Sequence, residues 1–400
     1  VKLFHTADWH LGKLLHNVYM TEDQRHVLMQ FADAVAAEKP DAVIIAGDLY
    51  DRAVPPAEAV DLLDDILRTI VLDLRTPVLA IAGNHDSPSR LQFGSHIMKA
   101  AGCHIAGEFQ YPFEAVTLYD EHGPVHFYLV PYADPAVVRH RLEDETIRSH
   151  DDAMKAIIDR IKETMQPDAR HVLVGHAFVT PHGEAQRNTS DAERPLAIGG
   201  AEHVSAEHFA VFQYTALGHL HQAHHVGHET IRYAGSPLKY SISEEFHQKG
   251  FLVVELDAQG VVAVEKRPLV PRRDVRTVEG RIADIERGEK SEDYVFVRLL
   301  DEQPVISPMA RVRAVYPNAM HVERQPALQQ WTGGTEIAAA AERAGADMLT
   351  LFRTFYLDAK GQMPTAETEQ LFLEAMRDVE REEGERHEAD QADDDGVRTV

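Results

Sequence analysis

Cysteine is almost missing from this 400-residue chain: Cys103 stands alone. That excludes a disulfide scaffold and a thiolate-rich metal site, and it fits a reducing compartment. No uninterrupted apolar run approaches the roughly 18 residues that a membrane helix needs. The opening Val1-Lys2-Leu3-Phe4-His5 also lacks the charged, apolar and small-residue sections of a secretory signal. A soluble, cytoplasmic protein is expected. Basic residues are in deficit as well, 40 Lys and Arg against 65 Asp and Glu, for a net charge of −25. Tight binding to a polyanion by charge alone is thereby excluded, because such affinity comes largely from Lys and Arg. Part of the imbalance is local: from residue 361 to 400, thirteen acidic residues face four arginines, a net of −9. If the substrate is a polyanion, weak intrinsic affinity, supplemented by a partner, is the expectation. What is plentiful is histidine, 24 residues, and apolar content, 44%, enough to bury full cores in two or three domains.

Five short polar strings follow one another through the first 221 residues: Asp8-Trp9-His10, Gly47-Asp48, Gly83-Asn84-His85-Asp86, Gly175-His176 and Gly218-His219-Leu220-His221. Each closely follows an apolar run, such as Ala42 to Ala46, Val78 to Ala82 or Val172 to Val174. Short apolar runs bounded by glycine read as buried strands, which places the polar residues at strand ends. In open α/β sheets ligands bind there. Singly these strings are weak signals; among 24 histidines any one is more often a surface or core residue, and a lone Asn84 reads as a turn. Their order and shared position downstream of strands are what chance does not readily produce. His5 reads as structural, and His224, His225 and His228 as a polar strand or loop.

Asp8, His10, Asp48, Asn84, His176, His219 and His221 supply a mixed set of imidazoles and oxygen donors. Such a set suits manganese, iron or zinc better than calcium or structural zinc. Two divalent cations about 3.5–4 Å apart clamp the attacking and leaving oxygens of a displacement at phosphorus. His85 adjoins a candidate ligand, and imidazole as a side-chain type ordinarily titrates near neutrality, which suits a proton donor. Asp86 either fixes the tautomer of His85 or packs locally.

The arrangement resembles the calcineurin-like metallophosphoesterase superfamily and, within it, the SbcD family of bacterial nuclease subunits, relatives of the Mre-type nucleases. The narrower likeness rests on His5-Thr6-Ala7-Asp8-Trp9-His10-Leu11-Gly12, Gly47-Asp48-Leu49-Tyr50-Asp51-Arg52, and Glu193-Arg194-Pro195 with Gly199-Gly200. Ala216-Leu217-Gly218-His219-Leu220-His221 and Tyr233-Ala234-Gly235-Ser236-Pro237 continue it. It covers residues 1 to about 270 strongly and the remainder more loosely. The resemblance implies that Asp8, His10 and His221 bind one metal, that Asn84, His176 and His219 bind the other, and that Asp48 bridges them. It makes His85 the residue that protonates the leaving oxygen or stabilises the transition state, and Mn2+ the metal. Archaeal and eukaryotic relatives carry histidine where this chain has Asp51, so the pair Asp51-Arg52 is open: Arg52 meets substrate phosphate or pairs with Asp51.

The same resemblance implies a DNA nuclease working with an SbcC-type ATPase: a 3′–5′ exonuclease on duplex ends and an endonuclease on single strands and hairpins. End processing, repair, replication and recombination would be its setting, at the nucleoid, as a homodimer within a heterotetramer. A phosphodiesterase or phosphatase for small molecules or phosphoproteins would share the ligands but not the stretch from Glu193 to Pro237. A non-catalytic scaffold is disfavoured because every ligand position is filled.

The expected fold class is α/β: a two-sheet sandwich flanked by helices, with a small α+β capping domain and C-terminal helices. Residues 1–270 form the nuclease domain, with an amphipathic helix from Glu22 to Glu38 and another opened by Pro55-Pro56 that buries Val60, Leu63, Leu67 and Ile70. Residues 271–325 form the cap, with strands at Val275 to Val278 and Tyr294 to Leu299 and helical pieces at Ile282 to Arg287 and Pro308 to Val312. Arg272, Arg273, Arg276, Arg298, Arg311 and Arg313 are its candidates for facing a nucleic-acid backbone, against an ordinary solvated surface. Residues 326–344 read as a linker. In 345–381, two short helices carry apolar stripes, Met348, Leu349, Phe352, Phe355 and Tyr356, then Leu371, Phe372, Ala375, Met376 and Val379. They are too small to make their own core. They fit the groove-seeking segment through which relatives hold the ATPase, or else pack on the cap or each other. Residues 382–400 form an acidic tail expected to be disordered.

Overall fold

The computed structural model describes residues 1–182, 202–260, 262–324, 348–360 and 363–376. The chain forms two compact units, the first comprising 1–278, 289–297 and 313–321, the second 279–288, 298–312 and 322–400.

The first unit is built on two six-stranded sheets. Across one sheet the order is Val262–Pro268, Gly250–Leu256, Lys2–Thr6, Ala42–Ile45, Val78–Ile81 and Cys103–Ala106. The last four of these strands are mutually parallel, as alternation of strand and helix requires. Gly250–Leu256 closes the sheet antiparallel to Lys2–Thr6, so a segment late in the sequence lies beside the first strand. The other sheet runs His224–Val226, His228–Tyr233, Tyr214–Gly218, Arg170–His176, Gly123–Val130 and Val116–Asp120. Four of its strands are again parallel, and both edges are antiparallel.

One face of each sheet meets the other in a core where Leu3, Ile44, Leu79 and Val254 pack with Phe127, Val172, Val174 and Tyr214. This is why the central strands read as unbroken apolar runs: both faces are covered. Helix Thr21–Glu38 covers the outer face of the first sheet through Val27, Leu28, Phe31 and Val35. Helix Ala57–Leu67 does so through Ala59, Leu62, Leu63 and Ile66. Of its expected face, Leu63 and Ile70 are buried and Leu67 is half-buried, while Val60 is exposed and Ala59 and Leu62 turn inward instead. Helices Pro135–Leu142 and His150–Lys162 cover the second sheet, the latter opened by a reciprocal Ser149–Asp152 capping box. His5 is buried, its Nδ1 2.8 Å from the Tyr214 hydroxyl, a structural position.

Three further strands, Val275–Gly280, Tyr294–Leu299 and Ala319–Arg324, pair in that order. In the second unit, Ile282–Ile285 is helical, its first amide held by Asp301 at 2.8 Å. Helix Met348–Lys360 and a helical stretch over 366–376 follow. The Phe352 and Phe372 rings stack at 4.2 Å, and Arg353 makes two 2.6 Å hydrogen bonds to Glu369. The two tail helices therefore do contact one another. The expected linker at 326–344, the string Glu193 to Gly200 and the tail 382–400 lie outside the described residues. Among the described residues no helix is long and apolar enough to cross a membrane.

Candidate metal centre

All five strings stand at the carboxyl ends of parallel strands. Asp8 follows Lys2–Thr6, Asp48 follows Ala42–Ile45, Asn84 and His85 follow Val78–Ile81, His176 ends Arg170–His176, and His219 and His221 follow Tyr214–Gly218. The loops stay paired after the strands stop: Asp8 N–H donates to Gly47 O at 3.0 Å and His10 N–H to Asp48 O at 2.9 Å. In these turns Asp8 (φ 54°), His10 (46°), Asp48 (52°) and His219 (105°) all have positive φ. Such strain costs about 1–3 kcal/mol per residue and gathers where function demands a particular side-chain direction. Gly47 is required for approach: a Cβ there would stand 2.3 Å from His176 Nδ1. At Gly83 a Cβ would stand 2.2 Å from Asp48 Oδ1.

Asp8, His10, Asp48, His85, His176, His219 and His221 are buried. Their atoms converge. Asp48 Oδ1 accepts the His85 amide at 2.8 Å, which turns Oδ2 toward His10 Nε2 (3.7 Å) and His176 Nε2 (3.4 Å). His10 Nε2 and His221 Nε2 face each other at 3.1 Å, and His176 Nε2 lies 2.9 Å from Asn84 Oδ1. Among the described residues three groups bring their ligand atoms within 4.8 Å: Asp8, His10 and His221; Asp8, Asp48 and His176; and His10, Asp51 and His85. Asp8 is thus shared by two groups. The His219 ring stands 5.5 Å from that of His176, outside these tight groups, while its amide donates to Asp8 Oδ1 at 2.9 Å.

Three imidazoles are anchored at Nδ1: His176 by Ala46 O (2.9 Å), His85 by Asp51 O (2.8 Å) and His221 by Glu244 Oε1 (2.9 Å). A carbonyl or ionised carboxylate only accepts, so Nδ1 carries the hydrogen and Nε2 points inward. Burial pushes His10, His219 and His221 below the ordinary imidazole range, toward the neutral form that binds metal. His176 is the exception: burial lowers it too, but Asp48 outweighs this and raises it to about 9. Burial alone would push Asp48 up; His176, His10 and His85 hold it well below the carboxylate range. Two nitrogens 3.1 Å apart with little affinity for protons, beside an ionised carboxylate, form a donor set that a divalent cation satisfies. The residues present fit the group.

Asp86 does the local job. Its carboxylate accepts the amides of Leu49 (3.1 Å), Tyr50 (2.9 Å) and Gly83 (2.9 Å), fixing two of the loops together. Burial and Asp48 raise it to about 7. The Nδ1 of His85 is met by the Asp51 carbonyl rather than by that carboxylate. Asp51 takes Lys13 at 2.9 Å, so the expected alternative of an Asp51–Arg52 pair gives way to Lys13, and Arg52 is exposed with no ion pair among the described residues. Sequence reasoning missed Glu244, Lys249, Tyr240 and Gln24. Gln24, on the first helix, donates to the Trp9 and His10 carbonyls at 3.1 and 2.7 Å, and the Tyr240 hydroxyl also reaches Trp9 O. None of them lies just downstream of an apolar run bounded by glycine; only their burial reveals them.

The calcineurin-like phosphoesterase family matches residues 1–223, and the type 5 capsule protein repressor C-terminal domain family matches 271–359. The curated SbcD component of the SbcCD nuclease from Staphylococcus epidermidis is 32% identical over 324 residues, covering 80% of this chain and 84% of its own. Among solved structures, a dimetal phosphatase of Danio rerio is 13% identical with a TM-score of 0.39, over 68% of this chain and 96% of its own. The GAP50 anchor of the Plasmodium inner membrane complex is 11% identical with a TM-score of 0.36, over 82% and 98%. The chain belongs to the calcineurin-like phosphoesterase family and, within it, to the SbcD components of SbcCD nucleases, and is a divalent-metal-binding phosphodiester hydrolase.

Proposed function

We propose that this chain cleaves DNA with two divalent cations, Mn2+ by preference, held at the strand ends of the first unit. Asp8, His10 and His221 hold one, Asn84, His176 and His219 the other, and Asp48 bridges them. The observation that carries this reading is Asp48 Oδ2, which faces His10 and His176 together. Cations bound there supply Lewis acidity toward phosphate oxygens and lower the pKa of water. The chain's own residues do the rest. His85, its Nδ1 fixed on Asp51 O, presents Nε2 to protonate the leaving oxygen; Asp86 positions its loop; Arg52 contacts a substrate phosphate.

The substrates proposed are duplex ends, cut 3′–5′, and single strands or hairpins, in DNA end processing, repair, replication and recombination. An SbcC-type ATPase is the proposed partner, held by the helices within 345–381, with residues 271–325 as a cap over the DNA. The net charge of −25 supports dependence on that partner for DNA affinity. Two copies are proposed to pair within a heterotetramer through the helices Thr21–Glu38 and Ala57–Leu67 of the first unit. The setting is the cytoplasm, at the nucleoid.

The test is a labelled hairpin duplex in manganese, with and without the ATPase and ATP. Cleavage stimulated by the partner is expected; turnover of a chromogenic phosphodiester with no action on DNA under either condition would overturn the substrate. Deleting 345–400 should spare manganese-dependent cleavage of single strands and abolish capture of the ATPase. Co-purification that survives the deletion would remove the tail helices from the interface.

A further inference from the structure

Behind His221 lies a charged assembly that no sequence string announces. Glu244 is fully buried. Its Oε1 accepts from His221 Nδ1 at 2.9 Å, and its Oε2 takes the Tyr240 amide at 3.2 Å and Lys249 Nζ at 2.6 Å. Lys249, also buried, directs its other hydrogens to the His221 carbonyl and to Ser236 Oγ, both at 2.8 Å. One ammonium thus grips both the carboxylate that orients the ring and the peptide oxygen of the same residue. A buried ion pair is an expensive way to fill space, and apolar residues of similar volume are often no less stable. The assembly reaches the candidate metal centre through His221, whose Nε2 meets His10 Nε2 at 3.1 Å.

We infer that Glu244 and Lys249 are positioning residues for His221, a paired device that fixes the ring's tautomer and its aim toward His10. The inference rests on the reading of His221 as a metal ligand. Hydrogen-bonded partners behind a ligand commonly contribute 10- to 100-fold in metal affinity. Glu244 holds the hydrogen at Nδ1 and so leaves Nε2 to face inward, and Lys249 holds the Glu244 carboxylate in place. Loss of both charges together removes the device without leaving a lone buried charge.

The experiment titrates Mn2+ into the metal-free full chain by calorimetry, alongside thermal melting, for the wild type, the double variant Glu244→Leu/Lys249→Met and the single variant Glu244→Gln. The wild type should bind two ions. The double variant should melt within a few degrees of the wild type yet lose about 10- to 100-fold in affinity at one site, leaving the other unaltered. Glu244→Gln keeps an acceptor for Nδ1–H without the charge, and should lose about tenfold at the same site. Wild-type affinity at both sites in either folded variant would overturn the inference while leaving the metal reading intact. No uptake by the wild type would overturn the metal reading itself.

Discussion

At the strand ends, Asp48 lies among imidazoles, 3.7 Å from His10 and 3.4 Å from His176, and several of these rings are too buried to hold a proton well. The arginines between 273 and 313 live differently. Arg276 meets Asp293 at 2.7 Å, Arg298 meets Glu323 at 3.0 Å, and Arg311 meets both oxygens of Glu286 at 2.6 Å. Arg273 is shared by Asp23 and Glu292, and Arg313 donates to the Ala319 carbonyl. One region concentrates donors that a cation completes; in the other, Arg273, Arg276, Arg298 and Arg311 have their charge met by carboxylates of the protein. A density of charged residues therefore says little about ligands until their partners are known. By that measure the four carboxylate-paired arginines are weaker candidates for gripping phosphate than the exposed Arg52 beside the centre, which has no ion pair among the described residues.

The sharpest way to break this contrast is at the bridge. Asp48→Ala should abolish uptake of both cations in metal analysis and lower cleavage about 10³-fold or more, since several kcal/mol of transition-state stabilisation leave with the ions. A variant that still holds two ions would show the bridge to be misassigned. His85→Ala comes next: metal content and melting should be unchanged while manganese-dependent cleavage falls about 10²- to 10³-fold. An unchanged rate would remove His85 from the chemistry. Arg52→Ala should weaken DNA binding modestly and reduce the slope of log affinity against log salt by about 1, as for one lost phosphate contact. The smallest effects belong to Arg298→Ala and Arg311→Ala. DNA affinity should change by less than about twofold with the salt slope intact, and stability by less than about 1 kcal/mol, the usual size for exposed ion pairs. A lost salt slope in either would reverse the comparison.

Much of the centre is legible in the sequence because each candidate ligand ends a buried strand or lies within four residues beyond one, so a local pattern reports a long-range arrangement. Asp8 and Asp48 follow neighbouring strands whose ends parallel pairing aligns in one sheet, and the same pairing aligns His176 with His219 in the other. Glu244 and Lys249 are hidden for the opposite reason. Glu244 ends the single 3₁₀ turn Ile242–Glu244 and Lys249 lies in the loop after it, and their place is set by the return of Gly250–Leu256 to the first strand, which no local periodicity encodes. Val60 misleads because apolar spacing alone leaves the helix phase free by one residue, and Ala59 is the buried neighbour. Asp86 has two readings, and the three backbone amides around it favour local packing, a geometry visible only once loops 47–51 and 83–86 are brought together.

The most direct measurement is anomalous diffraction at the manganese edge from crystals grown with Mn2+. Two peaks are expected, one among Asp8, His10 and His221 and one beside Asn84, His176 and His219, with Asp48 between them. A single peak, or peaks remote from these residues, would contradict the paired centre on which the proposed chemistry depends.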